Sequence, residues 1–109
     1  MGWNDDEIKG KVLHKLSRLG KFEHSHTSID NLPKGFPVDM RVKFKDMVKE
    51  LKKEGILLSK PTSYGEEVSI NSSMKERIIY YINKFFILYS GIKDNVNILE
   101  LYYTTVFAV

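Results

Sequence analysis

Five cations recur along one side of a single predicted helix, residues 37–54: Arg41, Lys45, Lys49, Lys52 and Lys53. With Phe44 set at zero and a step of about 100° per residue, they span an arc from about 60° to 180°. Val38 and Val42 fall inside that arc. Asp39, Asp46, Glu50 and Glu54 occupy the next one, with Lys43 among them. The helix therefore has an apolar, a basic and an acidic sector. A groove-sized rod with a cationic side suits a polyanion, because neutralising the phosphates of a duplex releases condensed counterions. Arg41 can pair bidentately with guanine, and the valines can touch a thymine methyl. Lys45 lies with them near the N-terminal end, which reaches base edges when such a helix enters the major groove. Lys49, Lys52 and Lys53 suit phosphates, which position a protein without specifying sequence. Lys34 ahead of the helix, and Lys60 with Tyr64 beyond it, are placed to hold the backbone on either side. The competing explanation is a solvated helix face supported by the pairs Asp39–Lys43, Asp46–Lys49 and Glu50–Lys53.

Other chemistry finds less support. His24 and His26 stand two apart and point to one side if extended, with Glu23 and Asp30 nearby, but no third ligand with metal-site spacing is evident. The absence of cysteine excludes disulfides, thiolate zinc sites and a cysteine nucleophile. No Gly-rich phosphate loop, Gly-x-Ser-x-Gly elbow or His-Glu-x-x-His occurs, and no nucleophile is paired with a base. The expectation is a non-enzymatic protein without metal or cofactor. Tyr80, Tyr81, Phe85, Phe86, Tyr89, Tyr102, Tyr103 and Phe107 lie in apolar runs with few cations, which favours core or dimer contact over base stacking.

The elements that position these residues follow from local patterns. Asn4 and Glu7 form a capping box for a helix from Asp5 to Leu19, ended by Gly20. Ile8, Val12, Leu16 and Leu19 share a face, with Leu13 at its edge and Lys11, His14, Lys15 and Arg18 on the other side. Thr27 or Ser28 can cap a short helix that Pro33 ends near Leu32, and Lys34-Gly35 reads as a turn. Pro37 suits the first position of the next helix, which Gly55 ends. Met40, Phe44, Met47, Val48 and Leu51 make its buried stripe. Strands over 56–60 and 66–71, joined by the five-residue tip 61–65, predict a β-hairpin with Val68 and Ile70 on one face. Ser73 and Glu76 spell a second capping box, opening a helix to about Tyr89, with Gly91 as its breaker. That helix is apolar on nearly every side, so its outer face needs a cover, either the tail or a second copy of the chain.

With 109 residues, 42% hydrophobic and 28% charged, the chain makes one domain. The net charge of +3 is modest for a nucleic-acid binder. An acidic start and apolar runs well short of the roughly 20 residues of a membrane span predict a cytoplasmic protein away from membranes.

A helix, a short helix, a turn, a long helix and a hairpin, in that order, make a winged helix-turn-helix. The run Asn31-Leu32-Pro33-Lys34-Gly35-Phe36-Pro37 and the tip Lys60-Pro61-Thr62-Ser63-Tyr64-Gly65 resemble those of small archaeal winged-helix proteins of uncharacterised role, over about residues 8–85. The resemblance implies the fold and, by analogy with winged helices in general, DNA binding. The expected class is α+β and mainly helical, with residues 1–90 as the winged-helix domain and 91–109 as an apolar tail. The expected function is double-stranded DNA binding in transcription regulation, by a homodimer joined through residues 78–109. The alternative is a winged-helix adaptor that binds protein and not DNA.

Overall fold

The computed structural model describes residues 3–90, with side chains through 85. Gly91, expected to break the last helix, and the expected apolar tail 91–109 lie outside the described residues.

Helix α1 spans Asp5–Arg18. Its capping box forms as expected: Asn4 Oδ1 accepts from the Glu7 N–H at 2.8 Å, and Glu7 Oε1 accepts from the Asn4 N–H at 2.9 Å. Leu13 is fully buried along with Ile8, Val12 and Leu16, because α1 packs against both α2 (Val38–Lys53) and α3 (Lys75–Ser90). Leu19 departs from expectation and is 49% exposed. It is the C-cap, and the chain already turns away at Gly20, whose φ is +70°. Gly10 explains how α3 comes so close. A Cβ there would lie 2.1 Å from the Tyr81 carbonyl oxygen and 2.7 Å from Phe85 Cβ. Glycine weakens a helix by about 1 kcal/mol relative to alanine, yet alanine at this position would force the two helices apart.

The irregular stretch holds a strand that local patterns missed. Strand β1, Thr27–Ser28, pairs antiparallel with β3 (Gly65–Ile70) through Thr27↔Val68 and Ser28↔Glu67. Two residues are too few to show alternation. The expected short helix is a single 3-10 turn, Ile29–Asn31, and Ser28 is its cap, accepting from the Asp30 N–H at 3.3 Å. Leu32 and Phe36 then plunge into the core.

Pro37 stands just before α2 as its cap rather than inside it, and its carbonyl accepts the N–H groups of Met40 and Arg41. All five expected core residues of α2 are buried. Each removes a large apolar side chain from water, a gain of about 1.5–3 kcal/mol. Glu54 caps the end, and Gly55, at φ +78°, takes the left-handed conformation that releases the chain into the sheet.

Strand β2, Leu57–Thr62, pairs with β3 from Leu57↔Ile70 to Thr62↔Gly65. The tip is thus the two residues Ser63-Tyr64, not five. Pro61 is tolerated because β2 is an edge strand, where a missing N–H can face away from the ladder. Thr62 fastens the turn: its Oγ1 accepts from the Tyr64 N–H and donates to the Gly65 carbonyl. The sheet order is β1-β3-β2. Beyond it, the Ser73–Glu76 box gives way to Asn71, whose Oδ1 accepts from both the N–H and the hydroxyl of Ser73. A 3-10 turn, Ser72–Met74, leads into α3.

Among the described residues the architecture is α+β and mostly helical: three α-helices and a three-stranded antiparallel sheet around one core. Ile78, Tyr81, Ile82 and Phe85 of α3 are buried within it. The rest of the expected dimer contact through 78–109 lies largely outside the described residues. Among those residues, no helix is long and apolar enough to cross a membrane.

Candidate nucleic-acid interface

The N-terminal half of α2 shows solvent a mixed face. Val38 is 74% and Val42 80% exposed, and Arg41 and Lys45 are exposed beside them. Neither cation makes an ion pair with a described residue. Arg41 Nε donates to the Phe36 carbonyl at 3.0 Å, which ties the guanidinium to the turn before the helix. Arg41 also lines a shallow hollow with Pro33, Lys34 and Gly35, so Lys34 stands at the same end of α2.

That turn is held from beneath by a residue whose role was not legible in the sequence. Lys15 lies on the expected polar side of α1, yet its ammonium donates to the carbonyls of Leu32 at 2.9 Å and Lys34 at 2.6 Å. Burial, and then the neighbouring Lys11, Arg18 and Lys34, lower its pKa. Lys11 lies over the rings of Phe36 and Phe85, at 5.4 and 5.2 Å. Two of the cations of α1 therefore serve packing and turn geometry rather than an open surface.

The hairpin sorts its residues by face. Glu66 pairs with Pro61, and Ser59 with Val68, so Ser59, Pro61, Glu66 and the buried Val68 share the face turned toward α2. Lys60 alternates with these and stands on the opposite face, cross-strand from Glu67. Lys60 is exposed, but it does not continue the stripe of α2. Tyr64, at the tip, is 96% exposed. Lys52, expected to meet phosphate, is bound to the Glu66 carboxylate, which also accepts from the Ser59 hydroxyl. These contacts hold Glu66 below the usual carboxylate range, Lys52 contributing most.

On its other flank α2 meets α1 and α3. Lys9, with a side chain only 7% exposed, pairs with Glu50 at 2.8 Å and Glu54 at 3.2 Å. Glu54 also accepts from Arg77 at 3.1 Å and from the Tyr81 hydroxyl at 2.6 Å. Burial alone would lower the Lys9 pKa, but the two carboxylates outweigh it and the net shift is upward. Burial likewise opposes ionisation of Glu54, and its hydrogen bonds to Tyr81, Arg77 and Lys9 reverse that. Burial and the bond to Glu54 push the Tyr81 hydroxyl up. Lys43 reaches Asp5 at 3.2 Å. The intrahelical pairs Asp39–Lys43, Asp46–Lys49 and Glu50–Lys53 do not form among the described residues; Glu50 pairs with Lys9 of α1 and Lys43 with Asp5 instead. Lys49 and Lys53 are exposed, but Lys49 shares a hollow with Asp46 and Glu50, and Lys53 another with Glu50 and Glu54. They border the acidic flank, whereas Arg41 and Lys45 stand clear of it.

Glu23, one of the carboxylates near the histidine pair, has a structural task. At φ +52°, its carboxylate accepts from the N–H and hydroxyl of Ser72, and its carbonyl accepts from Ser69 Oγ. Among the described residues, no three His, Asp or Glu side chains gather to hold a metal. His14 packs on Phe85 at 5.9 Å, and burial, then Arg18 and Lys11, lower its pKa to about 4. Tyr81 and Phe85 are core, as expected of the aromatic run, while Tyr80 is partly exposed beneath Arg77 and Lys84.

Comparison with family models, curated proteins and solved structures finds no match for this chain.

Proposed function

We propose that this chain is a winged helix-turn-helix protein that binds double-stranded DNA as a transcriptional regulator, with α2 in the major groove and the β2–β3 hairpin as the wing. The element order supports it: a helix, a short strand, a turn, a long helix and a hairpin that pairs back onto the short strand. One observation carries the reading. The N-terminal half of α2 exposes two valines beside two cations that no described acid neutralises. Exposed valines gain when they leave water, and Arg41, in the first turn of α2, opposes the helix dipole. Both features suit a groove floor, where valine meets thymine methyls and arginine meets guanine. Lys34 and Lys45 would meet phosphates nearby, and Tyr64 and Lys60 would lie along the backbone on the wing side. The role is binding rather than catalysis, and a homodimer through residues 78–109 would place two α2 helices on two half-sites.

The test is a titration with duplex DNA at several salt concentrations. Affinity should fall steeply as salt rises, and Lys45→Glu with Lys49→Glu should weaken binding at least tenfold. Unchanged affinity in that double variant would remove α2 as the groove surface. Absence of duplex binding would favour the protein adaptor. Sedimentation at about twice 12.7 kDa would support the dimer, and a monomer would remove it.

A further inference from the structure

We propose that Glu66 is a built-in counter-charge that withholds Lys52 from DNA and sets the angle of the hairpin on α2. Lys52 is then a wing-positioning residue and not a phosphate contact; the inference rests on the DNA-binding reading above.

The placement is specific. The side chain of Glu66 lies on the face of the hairpin that carries Val68 and Ile70 into the core, beyond the end of that apolar patch. One of its carboxylate oxygens takes both the Lys52 ammonium and the Ser59 hydroxyl. Both charged side chains are only about a third exposed, 31% for Lys52 and 29% for Glu66. Ser59 and Glu66 sit on opposite strands of the hairpin, and Lys52 on the last turn of α2, so the three join helix and wing at one point. On the wheel Lys52 shares the basic arc with Arg41 and Lys45, at the C-terminal end of α2, so pairing with Glu66 removes one charge from that arc. Surplus cations raise affinity for every duplex alike, whereas base-edge contacts discriminate. A neutralised Lys52 thus lowers sequence-independent binding and leaves the N-terminal half of α2 to select.

The experiment measures the salt dependence of duplex binding for wild type, Lys52→Met, Glu66→Gln and the double variant, all checked by circular dichroism. Each phosphate contact contributes about 0.9 to the slope of log affinity against log salt. Lys52→Met should leave the slope unchanged. Glu66→Gln should steepen it by about 0.9 and tighten binding to random-sequence duplex up to about eightfold at 0.1 M salt. The double variant should return to the wild-type slope. A slope that falls by about one in Lys52→Met, or stays fixed in Glu66→Gln, overturns the proposal. Amide exchange without DNA gives a separate readout: residues 62–66 should exchange faster in both single variants, and unchanged exchange overturns the positioning role. Failure of the wild type to bind duplex would instead overturn the DNA reading, which the exchange readout does not depend on.

Discussion

The two charged flanks of α2 have different fates. On the acidic side, Glu50 and Glu54 are joined to Lys9, Arg77 and Tyr81 in a network that links α1, α2 and α3. On the basic side, Arg41 and Lys45 have no acidic partner among the described residues, and only Lys52 is neutralised, by the hairpin. Charges that hold a fold together find partners, because a desolvated ion without one is costly. Charges left open at a groove-sized face remain available to an outside polyanion. The contrast divides one amphipathic helix into a flank that builds the domain and a flank that can meet something else.

The largest effect that would sharpen this contrast is on stability. Glu54→Ala strips the nearly buried Lys9 of one of its two carboxylates and frees Tyr81 and Arg77. It should cost about 2–3 kcal/mol in chemical denaturation. Lys45→Ala, on the open flank, should leave the denaturation midpoint within experimental scatter. Equal losses from the two substitutions would erase the distinction.

Next comes binding. Arg41→Ala should weaken a preferred duplex about tenfold or more while changing random-sequence duplex much less, as removal of a bidentate base contact does. An equal loss on both duplexes would assign Arg41 to phosphate.

The smallest effect is on pH dependence. His14 is held neutral to about pH 4 in the folded protein, against an ordinary value of 6.5. Between those values the unfolded chain binds the extra proton, so stability is complete above about pH 6.5 and falls toward pH 4. Because the ring is partly solvated, the loss should be only on the order of 1 kcal/mol. Glu54 and Glu66, with lowered pKa values, should give way only at lower pH still. Thermal melts of wild type and His14→Gln over this range check the order: the variant should lose the upper step and keep the lower. A wild-type curve flat from pH 7 to 4 would contradict the burial of His14.

Much of the fold was legible because it is local. The Asn4–Glu7 box, the stop at Gly20 and the Met40 to Leu51 stripe each need only neighbours within a turn or two. Strand β1 was missed because its two residues become a strand only through Val68 and Glu67, far along the chain. The hairpin tip was overestimated because Pro61 reads as turn chemistry but is tolerated on an edge strand. Of the candidate site, the exposure of Val38, Arg41, Val42 and Lys45 followed from the helical period. The capture of Lys52, the turn clamp by Lys15 and the separation of Lys60 from the α2 stripe did not.

The order of apolar, basic and acidic sectors around α2 was determined by the amino-acid sequence alone, since a helix converts spacing directly into angle. Tertiary structure decided which of those charges are neutralised. Lys9 meets Glu54 across 45 positions and Lys52 meets Glu66 across 14. An ion pair depends on a few ångströms of through-space distance, and that distance exists only once α1, the hairpin and α3 have packed against the same helix.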